Sequence, residues 1–289
     1  MIKIIVDSTC DLPQEILQEY DIKILPLNVL LNGVEYRDRV DIQVEEVYAQ
    51  MKKGIVPKTS QVSPKEIHSM FTHHIKQATD FIYLAFSSAL SGTHNLAKSI
   101  QEELTESNPN IKMAVVDSKG GSVATGLIVL QAARLARSGL DFANIIKQID
   151  FMVKHVEHIF AISDLEWLIK GGRINRIVGK TGSILNIKPI LDVQNGKMRV
   201  ISAVRGQRKA LRTVVDLVAE RIKEFPDQIV GIAHADDLPA AEEVMEMLRT
   251  KIGASKFIVQ KIGCVLGAHL GIGGVGVFFF NAKPELYMD

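Results

Sequence analysis

Short β-branched runs alternate with longer stretches of helical periodicity along this chain. Ile2–Val6 (IKIIV) is closed by the polar triplet Asp7-Ser8-Thr9. Comparable runs recur at Phe81–Phe86, Met113–Val116, Ile159–Ile162, Ile229–Ala233, Phe257–Gln260 and Val275–Phe280. Several are apolar throughout rather than alternating, the pattern of strands covered on both faces. Between them, Ser118–Arg137 and Gly206–Glu224 carry apolar residues at spacings of three and four, which predicts helices. Ser63-Pro64-Lys65-Glu66 sets an N-cap serine, a first-turn proline and a glutamate in the order of a capping box. Alternation of strands and helices predicts an α/β fold.

The texture changes after about residue 158. Before it the units read as β-α-β. After it come a Gly-rich turn at Lys170–Arg173, then Gln194-Asn195-Gly196-Lys197 between apolar runs, then two further strand–helix units. Asn-Gly in such a setting is a strong hairpin signal. A hairpin with helices predicts a second, α+β domain over 159–289, after an α/β domain over 1–158. No repeat, low-complexity tract or long linker separates them, so the two are expected to pack tightly around a cleft.

Composition narrows the function classes. The 289 residues favour two domains, and 47% hydrophobic content supports a large core. Aromatics are only 6%, so that core is aliphatic. A net charge of +1 gives no reason to expect nucleic acid as a partner. Cys10 and Cys264 are the only cysteines, so neither a disulfide framework nor a cysteine metal site is expected. The opening MIKIIVDST goes straight into a strand pattern and no apolar run reaches the ~18 residues of a membrane span. A soluble, cytoplasmic protein is the expectation.

Several motifs invite a sharper reading. Gly271, Gly273 and Gly276 in HLGIGGVG match the spacing of a dinucleotide turn. Such a turn must open a helix and be followed by an acidic residue about 20 positions on. Here a strand-like VGVFFF follows, close to the end of the sequence, so the glycines are expected instead to let a loop pass close to a ligand or another backbone. Gly179-Lys180-Thr181 resembles the end of a phosphate loop, but Ile174 stands where that loop needs glycine, so the chain shows no ATP site of its own. Phe86-Ser-Ser-Ala-Leu-Ser-Gly-Thr93 follows an apolar run and leads into a helix, which puts Ser87 and Ser88 at a strand's C-terminal end. Open α/β sheets bind ligands there, and hydroxyls with free amides suit an anion. The same residues also serve as a plain serine cap. A nucleophile elbow centred on Ser91 would need glycines where Ala89 and Thr93 stand. Lys58-Thr59-Ser60-Gln61, read as a polar loop, and Asp7-Ser8-Thr9 are further hydroxyl clusters, together suggesting one pocket floor. His269 has no second ligand at metal spacing, and the adjacent His73 and His74 cannot face one way on a helix, so no metal site is expected. Arg205, Arg208, Lys209 and Arg212 form the one dense basic run, a solvated helix face or a local docking surface.

VDSTCDLP, PKTSQVS, FSSALSGTHN, LIKGGRI, VRGQRKA and HLGIGGVG occur in this order along nearly the whole chain. Together they resemble the DegV family. The resemblance implies a two-domain α/β fold, with an N-terminal Rossmann-like parallel-sheet domain, a C-terminal α+β domain and the ligand between them. It implies a bound long-chain fatty acid and no cofactor. It further implies the role of the fatty-acid-binding subunit of bacterial fatty acid kinase, without catalysis of its own. A separate ATP-binding kinase subunit would phosphorylate the carboxylate to an acyl phosphate for phospholipid synthesis, and lipid exchange would involve peripheral membrane contact. By position, Thr59, Ser88 and His269 match carboxylate-binding residues, Arg173 a headgroup-network arginine and Arg205 a residue of the kinase encounter. Cys10 stands where alanine is frequent in the family and His94 where tyrosine is. Two rival readings remain: a serine esterase or acyltransferase using Ser88 or Ser91 with His269, and a carrier or sensor of another amphiphile.

Overall fold

The structure, a computed structural model, describes residues 2–174 and 186–289; Gly179-Lys180-Thr181 lie outside them. In chain order its first half comprises β1 (Lys3–Asp7), a 3-10 turn (Ser8–Cys10), α1 (Gln14–Glu19), β2 (Lys23–Leu25), β3 (Asn28–Leu31), β4 (Val34–Arg37), α2 (Val44–Lys52), β5 (Lys58–Ser60), α3 (Pro64–Lys76), β6 (Phe81–Ala85), α4 (Thr93–Ser107), β7 (Met113–Asp117), α5 (Ser122–Arg137) and α6 (Phe142–His155). The second half comprises β8 (Val156–Ala161), α7 (Glu166–Lys170), β9 (Ile187–Gln194), β10 (Lys197–Arg205), α8 (Gln207–Arg221), β11 (Ile229–His234), α9 (Leu238–Ile252), β12 (Lys256–Lys261), α10 (Cys264–Leu270) and β13 (Val275–Phe280).

The expected mixed α/β architecture is present. A four-stranded sheet in the order β2-β1-β6-β7 is parallel throughout. A separate six-stranded sheet runs β10-β9-β8-β13-β11-β12, antiparallel except for β11–β12. It opens with β8 at Val156, ahead of the apolar run read from Ile159. A small antiparallel sheet, β4-β3-β5, completes the set. Lys58–Ser60, read as loop, is a strand here because its backbone pairs with β3, Val29 opposite Thr59. Three residues with exposed polar ends carry no strand signal of their own.

Local chemistry sets the boundaries. At the start of α3, Ser63 Oγ accepts from the Glu66 amide at 3.2 Å and donates to the Glu66 carboxylate at 2.9 Å. The box therefore closes through the serine hydroxyl. The β9–β10 turn puts Asn195 at φ 50° and Gly196 at φ 79°. Both lie in the left-handed region that the tight hairpin turn requires.

Helix α5 joins the halves. Apart from its arginines, it is buried from Ser122 to Ala136. A helix apolar on all sides belongs inside the protein. It packs on β1 and the 3-10 turn on one side and on β8, β11 and β13 on the other. The C-terminal segment clamps its polar atoms, with Gln131 Nε2 and Arg134 Nη1 both donating to the Met288 carbonyl at 2.7 Å.

Gly126 tests this packing. A methyl there would stand 2.7 Å from the Cys10 carbonyl oxygen and 2.9 Å from the Leu12 side chain. Alanine gains about 1 kcal/mol of helix propensity, but overpacking costs about 1–3 kcal/mol. Because one obstacle is backbone, the second effect wins. Gly126→Ala is expected to lower the urea midpoint at unchanged m-value, and an equal or higher midpoint would show that α5 can slide away from the turn.

Candidate functional site

The site forms where chain segments far apart in sequence meet between the two large sheets. Pairing with β3 places Thr59 at the centre of β5. His269 lies in the last turn of α10, which ends at Gly271 with φ 76°. Thr59 Oγ1 and His269 Nε2 are hydrogen-bonded at 2.7 Å across 210 residues of sequence. The ring lies against Gly171, where any side chain would collide with Nδ1. Nδ1 is buried without a partner. Burial first, and then the Arg173 charge nearby, push the His269 pKa down to about 4, so the imidazole is neutral. Arg173 is held by its own turn, where Nη1 donates to the Gly171 carbonyl at 2.5 Å, and by the segment after β6, where Nε donates to the Leu90 carbonyl at 3.3 Å.

Thr59, His269, Arg173 and Ser91 edge a cavity whose walls are otherwise largely apolar, with Leu27, Phe86, Phe160, Ile162, Leu266 and Phe278 among them. Val193 and Met198 of the β9–β10 hairpin form part of the wall. The hairpin tip is tied to the first half by Ser87, whose Oγ donates to the Gly196 carbonyl at 2.8 Å.

The chain has relatives that match it over nearly its whole length. The DegV family model, described as "Uncharacterised protein, DegV family", matches residues 1–282. This chain belongs to the DegV family. A DegV domain-containing protein of Clostridium acetobutylicum is 38% identical over 285 residues, covering 97% of this chain and 98% of its own. Among solved structures, a fatty-acid-binding DegV family protein from Thermus thermophilus superposes with TM-score 0.89 at 26% identity, covering 96% of this chain and 99% of its own. A stearic acid-binding protein from Eubacterium ventriosum gives TM-score 0.89 at 27% identity, covering 96% and 97%.

Within this DegV protein the residues singled out from sequence divide into three groups. Thr59, His269 and Arg173 meet at the cavity. Ser88 does not line it: its Oγ donates to Asp117 Oδ2 at 2.5 Å, and its amide donates to Asp117 Oδ1 at 3.1 Å. The reason is a helical turn. Leu90 and Ser91 amides both donate to the Ser87 carbonyl, so the segment curls after β6 and presents Ser91 to the cavity instead. Sequence reading weighed Ser91 only as a nucleophile. Arg205 is exposed at the end of β10, beside the start of α8 and away from the cavity.

The Asp7-Ser8-Thr9 cluster also lies off the cavity. Asp7 accepts from the Thr9 and Phe86 amides, and Ser8 Oγ accepts from the Leu27 amide, so these groups fasten chain crossings. Neither Cys10 nor His94 touches the cavity. Ser60 and Gln61 of the Lys58–Gln61 stretch line it beside Thr59, whereas the lining residue His158, in an apolar strand, went unnoticed in the sequence.

A pH prediction follows from His269. Its folded pKa of about 4 lies below the ordinary 6.5. Protonation therefore favours the unfolded chain, and stability from the neutral ring is complete above pH 6.5 and is lost as pH falls toward 4. Burial raises Asp7, Asp11 and Asp38, which act with the opposite sign, so the difference between wild type and His269→Gln isolates the histidine. The wild-type advantage should shrink between about pH 6.5 and about pH 4, read by chemical denaturation; a constant difference would mean that the ring is solvated and charged.

Proposed function

We propose that this protein binds a long-chain fatty acid, with the tail in the cavity between its sheets and the carboxylate at Thr59 and His269. The observation that carries this reading is an apolar cavity closed at one edge by a hydrogen-bonded hydroxyl–imidazole pair with an arginine alongside. The fatty acids bound by structural relatives support it. A sixteen-carbon acid has about 14 methylenes, and burying them at ~0.8 kcal/mol each is worth about 11 kcal/mol gross. Ordering and association remove a large part of that, yet enough remains for a ligand that survives purification. A buried carboxylate must be hydrogen-bonded. With the one N–H of neutral His269 on Nε2 and donating to Thr59 Oγ1, the Thr59 hydroxyl is free to donate to the carboxylate, Ser91 supplies a second hydroxyl, and Arg173 the charge.

The finer role is presentation. A carboxylate held mainly by neutral donors keeps its oxygen nucleophilic, and a separate ATP-dependent kinase subunit would phosphorylate it to an acyl phosphate destined for phospholipid synthesis. The exposed basic run at Arg205, Arg208, Lys209 and Arg212 suits the encounter with such a subunit. Peripheral contact suffices for loading from a membrane, and no helix among the described residues is long and apolar enough to cross one. The esterase reading loses support at His269: its Nδ1 meets no partner, whereas a serine nucleophile's base needs a third group to orient it.

Organic extraction and native mass spectrometry of the purified protein should recover a long acyl chain. Thr59→Val and His269→Gln should weaken fatty acid binding roughly 10- to 100-fold, the loss of a hydrogen bond to a charged group. Arg205→Glu should leave binding unchanged and slow acyl phosphate formation in the presence of the kinase subunit. Failure to recover or load any acyl chain sinks the reading, and loading without phosphorylation removes only the kinase role.

A further inference from the structure

His158 is a buried imidazole with no visible task. It lies on β8 opposite Phe278 of β13, while Phe160 lies opposite Gly276. Side chains two apart on a strand share a face, and His158 and Phe160 both line the cavity. On both strands His158 stands farther from the loop that follows His269 than Phe160 and Gly276 do, by a rise of roughly 7 Å. It is therefore set beside the tail, beyond the carboxylate end.

Only 4% of His158 is exposed, yet neither ring nitrogen has a hydrogen-bond partner among the described residues. Buried polar groups are nearly always paired. The surroundings supply no partner. Phe278 meets the ring at right angles, 5.7 Å between centroids. Gly120 lies against Nε2 and Cε1, where a methyl would collide. Ser122, also in the wall, commits its Oγ to Asp11 at 2.6 Å. Burial lowers the pKa to about 4, so the ring is neutral and carries one donor and one acceptor.

We propose that His158 is a hydrogen-bonding subsite within the tail cavity, and that the acyl chain this protein prefers carries an in-chain hydroxyl group there. A saturated tail passes His158 and leaves it unpaired. Packed neighbours cover both ring nitrogens, so the ring turns or the wall parts for a hydroxyl, which donates and accepts and so pairs with either nitrogen in either tautomer. The inference rests on the fatty acid reading above and adds the class of chain.

The test compares stearic acid with a series of monohydroxystearic acids substituted at successive carbons, by displacement of a fluorescent fatty acid. One positional isomer should bind roughly tenfold tighter than stearic acid to wild type, the worth of about one hydrogen bond. His158→Leu should abolish that preference and leave stearic acid binding equal or tighter, while His158→Gln, with a donor and an acceptor, should keep part of it. In the wild type, the ring nitrogens of His158 should shift on loading the preferred isomer and not on loading stearic acid. The proposal is overturned if no isomer outbinds stearic acid, if the preference survives in His158→Leu, or if the ring nitrogens do not respond. Stearic acid binding without a hydroxyl preference removes this inference alone, whereas failure of stearic acid and every isomer to bind removes the fatty acid reading beneath it.

Discussion

A helix without a polar face has to be covered on every side, and α5 imposes that constraint on the whole chain. Its residues from Ser122 to Ala136 are buried except for Arg134. One sheet cannot cover a cylinder, so the parallel sheet takes one side and the mixed sheet the other. A single apolar core then runs across the junction, from Ile5 and Leu84 of the first half to Phe278 and Phe280 of the second. The halves are not free to settle independently. The cavity sits where the covering is incomplete, beside the start of α5 at Gly120–Ser122.

Two buried carboxylates in that junction gather hydrogen-bond donors. Asp7 collects the Thr9 and Phe86 amides; Asp11 collects Ser122 Oγ at 2.6 Å and the Gly263 amide at 2.9 Å. Asp7 ties the end of β1 to the end of β6, and Asp11, just after the 3-10 turn, ties that turn to the starts of α5 and α10. Burial raises both, Asp11 to about 7, because the hydrogen bonds do not fully offset desolvation. His269 is treated differently. It keeps one nitrogen on Thr59 and is pushed to the neutral form. The junction is thus stitched by carboxylates, while its open edge carries a hydroxyl, a neutral ring and one arginine.

Much of the fold was legible because its strongest signals are local. Long apolar runs became the central strands β1, β6, β11 and β13, covered on both faces, a further run became the edge strand β7, and Asn195-Gly196 became the hairpin. β2 to β5 were not, since strands of three or four residues are made by their partners and not by their own composition. The candidate site divides the same way. Thr59, His269 and Arg173 could be placed by family resemblance, and the structure brings them together. Ser88 could not be separated from Ser91 in FSSALSG, because the choice depends on one helical turn after β6 and on where Asp117 ends β7. His158 gave no signal, as one histidine in an apolar strand looks the same whether its nitrogens are used or idle.

The glycine motifs show why a cavity exists at all in so tightly packed a junction. Each seats a ring. A side chain at Gly171 would strike His269, one at Gly271 the Trp167 indole, one at Gly120 His158, one at Gly121 Phe86, and one at Gly276 the Phe278 ring. Flat rings laid directly on backbone leave space on their other side, and four of the five, all but Trp167, line the cavity. Two of the three glycines whose spacing in HLGIGGVG imitates a nucleotide turn follow from this need, while Gly273, at φ 86°, lies against Ser163 Oγ. Gly271 must adopt φ 76° to end α10 with His269 facing inward, and Gly276 must be bare so that Phe278 can fold over its own strand. Replacing these glycines by larger residues would fill the slot from the backbone side, so the chain keeps its apolar cavity by omission of side chains at fixed points.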